Sequence, residues 1–233
     1  MSLKQNATAI FRAALRAADP VEAVLRHASV VDGVLRVAGR HYRLERYRSV
    51  YVVGAGKAGA SMAKAIERLL GRRISQGLVN VKDGHTAPLK RIELAECRHP
   101  VPDARGVEGA RRIAAIAEKA ESDDLVICLI SGGASALMPL PAEPVTLDEK
   151  QETTKLLLAC GADIGEINTV RKHISSIKGG QLARLAAPAT VICLQLSDVI
   201  GDDMGVIGSG PTVADSPEVW AECEGTGRGA RPD

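Results

Sequence analysis

Aromatic residues are nearly missing from this chain: they make up 2% of its 233 residues, with one Phe, three Tyr and one Trp. Its core must therefore be assembled from Ala, Val, Ile and Leu, a composition that suits parallel strands buried under helices. An excess of one charge is also lacking. Thirty Lys and Arg face 28 Asp and Glu, a net +2, and no basic run or aromatic stacking platform accompanies it. That excludes the electrostatic footprint of a nucleic-acid binder and leaves a small molecule as the expected partner. The five cysteines (Cys97, Cys128, Cys160, Cys193 and Cys223) stand singly with no C-x-x-C pair, which argues against a zinc site and a disulfide framework. Cys128 and Cys193 sit inside apolar runs and read as small core residues. No apolar run reaches the ~18 residues of a membrane span. Lys4, Arg12, Arg16 and Asp19 interrupt the start of the chain, leaving no signal-peptide core there. No membrane partner is expected, and the predicted compartment is a reducing cytoplasm.

What the chain does have is the 45% apolar and 25% charged balance of a globular protein. Its length exceeds the typical domain of about 100 to 150 residues but fits α/β domains of roughly 200 to 250. Ile10, Phe11, Ala14, Leu15 and Ala18 recur at helical spacing over 5–18, and Pro20 closes that segment before a short helix from Val21 to about Ala28. Asp32-Gly33 turns a hairpin between 29–31 and 34–37. Thereafter strands alternate with helices. Strands are predicted at 49–53, 78–81, 92–95, 125–130 and 190–196. Helices are predicted after Lys57, with Ala58, Met62, Ala65, Ile66 and Leu69 as the buried stripe, over 104–120, from the Thr146/Glu149 capping box to about Cys160, and in two pieces over 164–187 broken at Gly179-Gly180. Apolar strands alternating with helices imply a doubly wound, mostly parallel, Rossmann-like sheet with helices on both faces. Ligands of such sheets lie beyond the carboxyl ends of the strands, so the loops after 53, 130 and 196 should converge on one crevice.

Each loop carries chemistry. Gly54-Ala55-Gly56-Lys57-Ala58-Gly59 matches G-x-G-x-x-G between strand and helix, a weak signal alone for a dinucleotide site. The acidic residue that should bind the ribose is missing from the end of the second strand, with Asp83 a slightly late substitute. Lys57 suits another use, neutralising transferring phosphate while helix amides hold the anion. The next loop, Ser131-Gly132-Gly133-Ala134-Ser135, can form an anion nest with two hydroxyl donors. It is no hydrolase elbow, because Leu137 stands where G-x-S-x-G needs glycine. In the third loop Asp198, Asp202 and Asp203 follow a buried strand. Asp198 lies nearest the strand end and suits Mg²⁺ or a hydroxyl proton; Asp202 and Asp203 read equally well as turn residues. Beyond Asn168, the four potential cations Arg171, Lys172, His173 and Lys178 gather on or beside one helix, as anion binding or a solvated face would require. His85 and His99, in Gly/Pro-rich loops, read more readily as structural than as ligands.

Taken together, Val-Val-Gly-Ala-Gly-Lys-Ala-Gly (52–59), Gly-His-Thr-Ala-Pro (84–88), His-Pro-Val-Pro-Asp (99–103), Leu-Ile-Ser-Gly-Gly-Ala-Ser-Ala-Leu (129–137), Ile-Asn-Thr-Val-Arg-Lys-His (167–173), Ile-Lys-Gly-Gly (177–180), Leu-Ser-Asp-Val-Ile-Gly-Asp (196–202) and Ser-Gly-Pro-Thr (209–212) resemble the glycerate 2-kinase family, some of whose members are labelled hydroxypyruvate reductase. The resemblance implies transfer of the ATP γ-phosphoryl to the 2-hydroxyl of D-glycerate, with Mg²⁺. It implies Lys57 and Asp198 as catalytic, with Asp198 on the metal. Gly54, Gly56, Ser131, Gly132, Gly133, Ser135, Asn168, Arg171, Lys178, Ser209 and Gly210 are expected at the nucleotide, and a homodimer is an assembly it allows. Two departures stand out. Ala134 replaces a third glycine common in that loop, which is tolerable where φ stays negative. Family members also continue into a second domain. A family domain over 1–219, an irregular tail over 220–233 and no second domain are the expected organisation. An NAD(P)H-dependent reductase and a non-catalytic nucleotide-binding remnant are the competing functions.

Overall fold

The computed structural model describes residues 2–215. The irregular tail expected over 220–233 lies outside the described residues. Helix α1 (Leu3–Ala17) opens on a capping box between Ser2 and Gln5, and α2 (Pro20–His27) opens on Asp19, whose carboxylate accepts from the Val21 and Glu22 amides. Pro20 therefore begins the second helix rather than merely closing the first, its missing N–H being one of the orphans of a helix start. Three short antiparallel strands follow: β1 (Ala28–Val31), β2 (Val34–Val37) and β3 (Arg40–Arg43). The predicted hairpin is thus the first part of a three-strand meander. Its third strand, Arg-His-Tyr-Arg, is mostly exposed and has no apolar alternation to betray it.

The main sheet is built from β4 (Val50–Ala55), β5 (Gln76–Lys82), β6 (Ile92–Cys97), β7 (Leu125–Ser131) and β8 (Thr190–Leu196). All four pairings are parallel, in the order β6-β5-β4-β7-β8. The chain starts in the middle, winds outward to β6, then returns across the sheet to β7 and β8. The direction of winding reverses between β4 and β7, which makes the gap above those two strands the topological switch point.

Helices cover both faces, as the strand composition requires. On one face α3 (Gly59–Leu70), with α2 and the meander beyond it, packs Met62, Ala65 and Ile66 against Val52, Val79 and Ile127. On the other, α4 (Ala104–Glu118), the single turn α5 (Ala134–Leu137) and α8 (Gln181–Ala186) pack Ala110, Ile113, Leu137 and Leu182 against Val53, Cys128 and Ile130. Strand β7 is buried at every residue, and its Ile127 and Leu129 each contribute roughly 2 kcal/mol by leaving water. The capping box predicted at Thr146 and Glu149 starts α6 (Leu147–Ala159). The segment predicted as two helical pieces resolves into α7 (Ile164–His173) and α8, joined through Gly179 and Gly180, both at positive φ.

Helix α1 departs from its reading. Its apolar positions recur at helical spacing, yet Ile10, Phe11 and Leu15 are exposed, and no residue of the helix is buried. Periodicity reports an apolar stripe, and that stripe needs a partner surface which the described residues do not supply. Among the described residues no helix is long and apolar enough to cross a membrane.

The amino ends of β4 and β7, opposite the switch point, are tied by one carboxylate. Asp124, fully buried, accepts from Arg48 at 2.8 Å and from the Ser49 and Glu121 amides at 3.0 Å. Burial pushes its pKa up, but the Arg48 bond and the two amides outweigh it and hold the group below the ordinary carboxylate range.

Candidate active site at the switch point

The three predicted loops meet. The Lys57 amide donates to the Gly132 carbonyl at 2.9 Å, and the Ala58 amide to Ser131 Oγ at 3.1 Å, joining the β4 and β7 loops. A Cβ on Gly56 would fall 2.0 Å from Ser131 Oγ and one on Gly54 2.0 Å from the Leu129 carbonyl oxygen, so only glycine allows this approach. From the β8 loop Asp198 reaches Gly132, where an added Cβ would stand 2.3 Å from its Oδ2. At Gly133, which lies at φ 87°, the neighbours are the His99 ring at 2.9 Å and Lys57 Cγ at 3.3 Å from such a Cβ position. Lys57, Asp198 and His99 therefore surround one pair of glycines, with Lys57 and Asp198 exposed.

The two glycine loops divide the work differently from expectation. In the first, the amides of Gly56, Lys57, Ala58 and Gly59 all donate to protein oxygens, namely Asn80 O, Gly132 O, Ser131 Oγ and Gly56 O. That loop has no amide left for an anion and serves to seat Lys57. In the second, the amides of Gly132, Gly133, Ala134 and Ser135 have no acceptor among the described residues. They run through the left-handed Gly133 into the first residues of the turn α5, the arrangement of an anion nest. Ala134, fully buried, is absent from the positive-φ residues, so replacing glycine there requires no strain.

Ser135 and Ser209 share a hydroxyl–hydroxyl bond of 2.8 Å. Ser209 is buried and sits at φ 63°, an uncommon conformation for a non-glycine residue. It is held there by its neighbours: Gly179 donates to Ser209 O at 3.0 Å, Gly180 to Gly210 O at 2.8 Å, and Leu182 to Pro211 O at 3.0 Å. A Cβ on Gly210 would lie 2.8 Å from Gly205 O, so this glycine too fills a backbone crossing.

The predicted cations separate. Lys172 pairs with Asp215 at 2.5 Å, and His173 Nδ1 bonds Thr169 O at 2.8 Å. Lys178 is fully buried, with its ammonium 3.4 Å from the Met138 carbonyl just beyond α5. Arg171 is half-buried and Asn168, one turn earlier on α7, is buried. Composition concealed a second buried cation, Lys150 of α6, which donates to Ile174 O at 2.9 Å and Arg171 O at 3.4 Å. Burial, with Arg171 adding repulsion, brings Lys150 down to about 8; burial, Arg171 and Lys150 push Lys178 well below the ordinary lysine range. Lys178 thus lies in the interior beneath Met138 with Arg171 and Lys150 near it, while Lys57 and Asp198 stand exposed at Gly133 and Gly132. Asp202 and Asp203 take turn roles: Asp202 lies at φ 53°, and the Asp203 carboxylate accepts from the Gly205 amide at 2.7 Å.

His99, read from the sequence as more readily structural, is also brought to these glycines. Its half-buried ring lies beside Gly133 because β6 ends two residues earlier at the same sheet edge. Burial lowers its pKa, and Lys57, Lys82 and His85 lower it further.

Residues 6–224 match a family model described as a domain of unknown function, DUF4147. The chain belongs to that family. It is 43% identical over 215 residues to the glycerate 2-kinase of Pyrococcus horikoshii, covering 92% of this chain and 48% of that protein. Human glycerate kinase is 43% identical over 235 residues, covering 94% and 45%. An Agrobacterium vitis protein carrying the hydroxypyruvate reductase name is 45% identical over 92% of this chain and 46% of its own length. Among solved structures, a Pyrococcus horikoshii OT3 protein superposes with a TM-score of 0.84 at 43% identity over 92% of this chain and 48% of that one. Glycerate kinase from Thermotoga maritima (EC 2.7.1.31) gives 0.71 over 78% and 45%. The chain spans about half the length of the curated relatives it matches.

Proposed function

We propose that this chain supplies the nucleotide-holding half of a kinase that transfers the γ-phosphoryl of ATP to the 2-hydroxyl of D-glycerate, giving 2-phosphoglycerate and ADP. The observation that carries the reading is the meeting of Lys57 and Asp198 at the Gly132–Ser135 amides, above the switch point. Such amides favour a polyanion, and phosphoryl transfer asks the protein chiefly for positioning and charge stabilisation.

In this reading the Gly132–Ser135 amides and the Ser135 hydroxyl cradle phosphate oxygens, and Lys57 offsets charge on the transferring group. Ser131, Gly54 and Gly56 hold the loops at their spacing, and Ser209 and Gly210 fix Ser135. Arg171 adds positive potential, and Asn168 and the buried Lys178 supply polar groups beside it. The residues fit Mg²⁺ in its nucleotide-bound mode: among the described residues no three His, Cys, Asp or Glu cluster into a cage, whereas Mg²⁺ commonly uses one or two carboxylates plus substrate phosphates. Asp198 is the carboxylate that would hold it, and the ion would neutralise phosphate charge. The reductase alternative has less support, because the first-loop amides are committed and Asp83, the candidate ribose ligand, is held by Arg105 at 2.8 and 2.9 Å.

The test joins this chain to the C-terminal half of the Pyrococcus horikoshii relative and follows ADP release with MgATP and D-glycerate. The product's ³¹P resonance should be a doublet from the single proton on C2. Hydroxypyruvate-dependent NADH oxidation without ADP release would overturn the proposal.

A further inference from the structure

We propose that Lys57, Lys82 and His99 form an anion subsite on the β5–β6 side of the crevice, which takes the carboxylate of the acceptor acid. This rests on the kinase reading above and assigns the acceptor a place within it.

The three residues come from separate elements but converge at one sheet edge. Lys57 follows β4, Lys82 is the last residue of β5, and His99 lies two residues beyond β6. Alternation along β5 sets Lys82 on the same face as Asn80, whose side chain donates to Gly106 O and Leu137 O on the α4–α5 side. The His99 ring and the Lys57 stem bracket Gly133 from that side. The fixed charges acting on His99 are both positive: Lys57 from the β4–α3 loop and Lys82 from β5. The second glycine loop beside it is uncharged, and Asp198 stands over Gly132 instead. Asp83, the nearest carboxylate in sequence to Lys82, is held by Arg105. His99 makes no hydrogen bond among the described residues, so its ring nitrogens remain available. Asp103, at the Arg98 backbone, is likewise held by Arg105 at 2.8 Å, so the cations gathered round the imidazole call for an anion from outside.

The position suits a carboxylate better than a second phosphate. Asp198 meets the nest at Gly132, whereas Lys57 and His99 both adjoin it at Gly133. In a 2-hydroxy acid the carboxylate is bonded to the carbon bearing the reacting oxygen. An anchor adjoining Lys57 would therefore hold that oxygen beside the transferring phosphoryl group, where proximity has its largest effect.

The test follows the His99 imidazole C–H resonances, assigned by triple-resonance NMR, while D-glycerate, glycerol, inorganic phosphate or MgATP is added to the chain. D-Glycerate should move them and raise the pH midpoint of the ring, because a bound anion favours imidazolium; glycerol should do neither. Lys82→Gln and His99→Gln should each weaken D-glycerate binding about 10-fold or more, the scale of one charge-assisted hydrogen bond. MgATP affinity should change less than about 2-fold. If inorganic phosphate moves His99 but D-glycerate does not bind, the anion subsite stands and the glycerate reading falls. If D-glycerate binds without moving His99, or no anion moves it, the subsite is overturned. Loss of MgATP binding alone in the two variants would also overturn it, by assigning these residues to the nucleotide.

Discussion

Asp198 rests its carboxylate directly on the backbone of Gly132, so close that a methyl group there would lie 2.3 Å from Oδ2. Gly132 is not among the positive-φ glycines, so alanine meets no conformational penalty, and the obstacle is the movable end of one side chain. Gly132→Ala should therefore fold normally while displacing Asp198. Phosphoryl transfer in the joined protein should fall about 10²-fold, the cost of roughly 1 Å of misplacement. Steady-state kinetics beside a thermal melt separates the two effects, and unchanged turnover would remove the Asp198 position from the mechanism.

Gly54 should behave in the opposite way. Its missing Cβ would meet a carbonyl oxygen of β7 at 2.0 Å, and strand backbone in the sheet centre cannot give way. Gly54→Ala should lower stability by roughly 3 kcal/mol or more, measured by urea denaturation. A loss under about 1 kcal/mol would show that the β4–β7 approach is looser than described.

Lys150 links burial to pH. Its native pKa of about 8 lies below the ordinary 10.5, so between these values the unfolded chain holds a proton that the folded chain has released. Stability should rise with pH across that window, because the unfolded state binds more protons there. The buried Lys178 acts in the same direction. Lys150→Met should flatten the rise between pH 8 and 10.5 in denaturation curves, and an unaltered slope would show that Lys150 is not its source.

Asp124 works at the acid end. Because its native pKa is depressed, its contribution is complete above the ordinary value of 3.8 and is lost as pH falls through the lower native value. Asp124→Asn should cost about 2 kcal/mol at neutral pH, the range for hydrogen bonds to a charged group. The gap between variant and wild type should close under acid, and a gap constant with pH would contradict the assignment.

Much of the fold was legible because the central strands β4 and β7 are apolar almost throughout and the helices between strands carry clear stripes, as in α4. The meander's β3 was not, since an exposed strand leaves no hydrophobic period. Helix α1 shows the converse: its stripe predicts a helix but cannot name what covers it. At the site, Lys57 and Asp198 announced themselves by following strand ends. Hydrogen bonding that depends on tertiary contact did not, so the first glycine loop looked like the phosphate cradle when its amides are in fact consumed. His99 read as structural, and Lys150 escaped notice, for a related reason. A histidine in a proline-rich loop and a lysine within a helix acquire meaning only from the loop or carbonyls against which the sheet sets them.

The most direct test of the central claim is calorimetric titration of the chain and of Lys57→Ala with MgATP and with NADH. MgATP should bind the wild-type chain more tightly than NADH, because the open amides lie in the second glycine loop beside Lys57. Lys57→Ala should weaken MgATP binding about 10-fold or more, in keeping with one charge-assisted contact, without unfolding the domain. NADH binding with no detectable MgATP binding, or MgATP affinity unchanged in Lys57→Ala, would contradict the account.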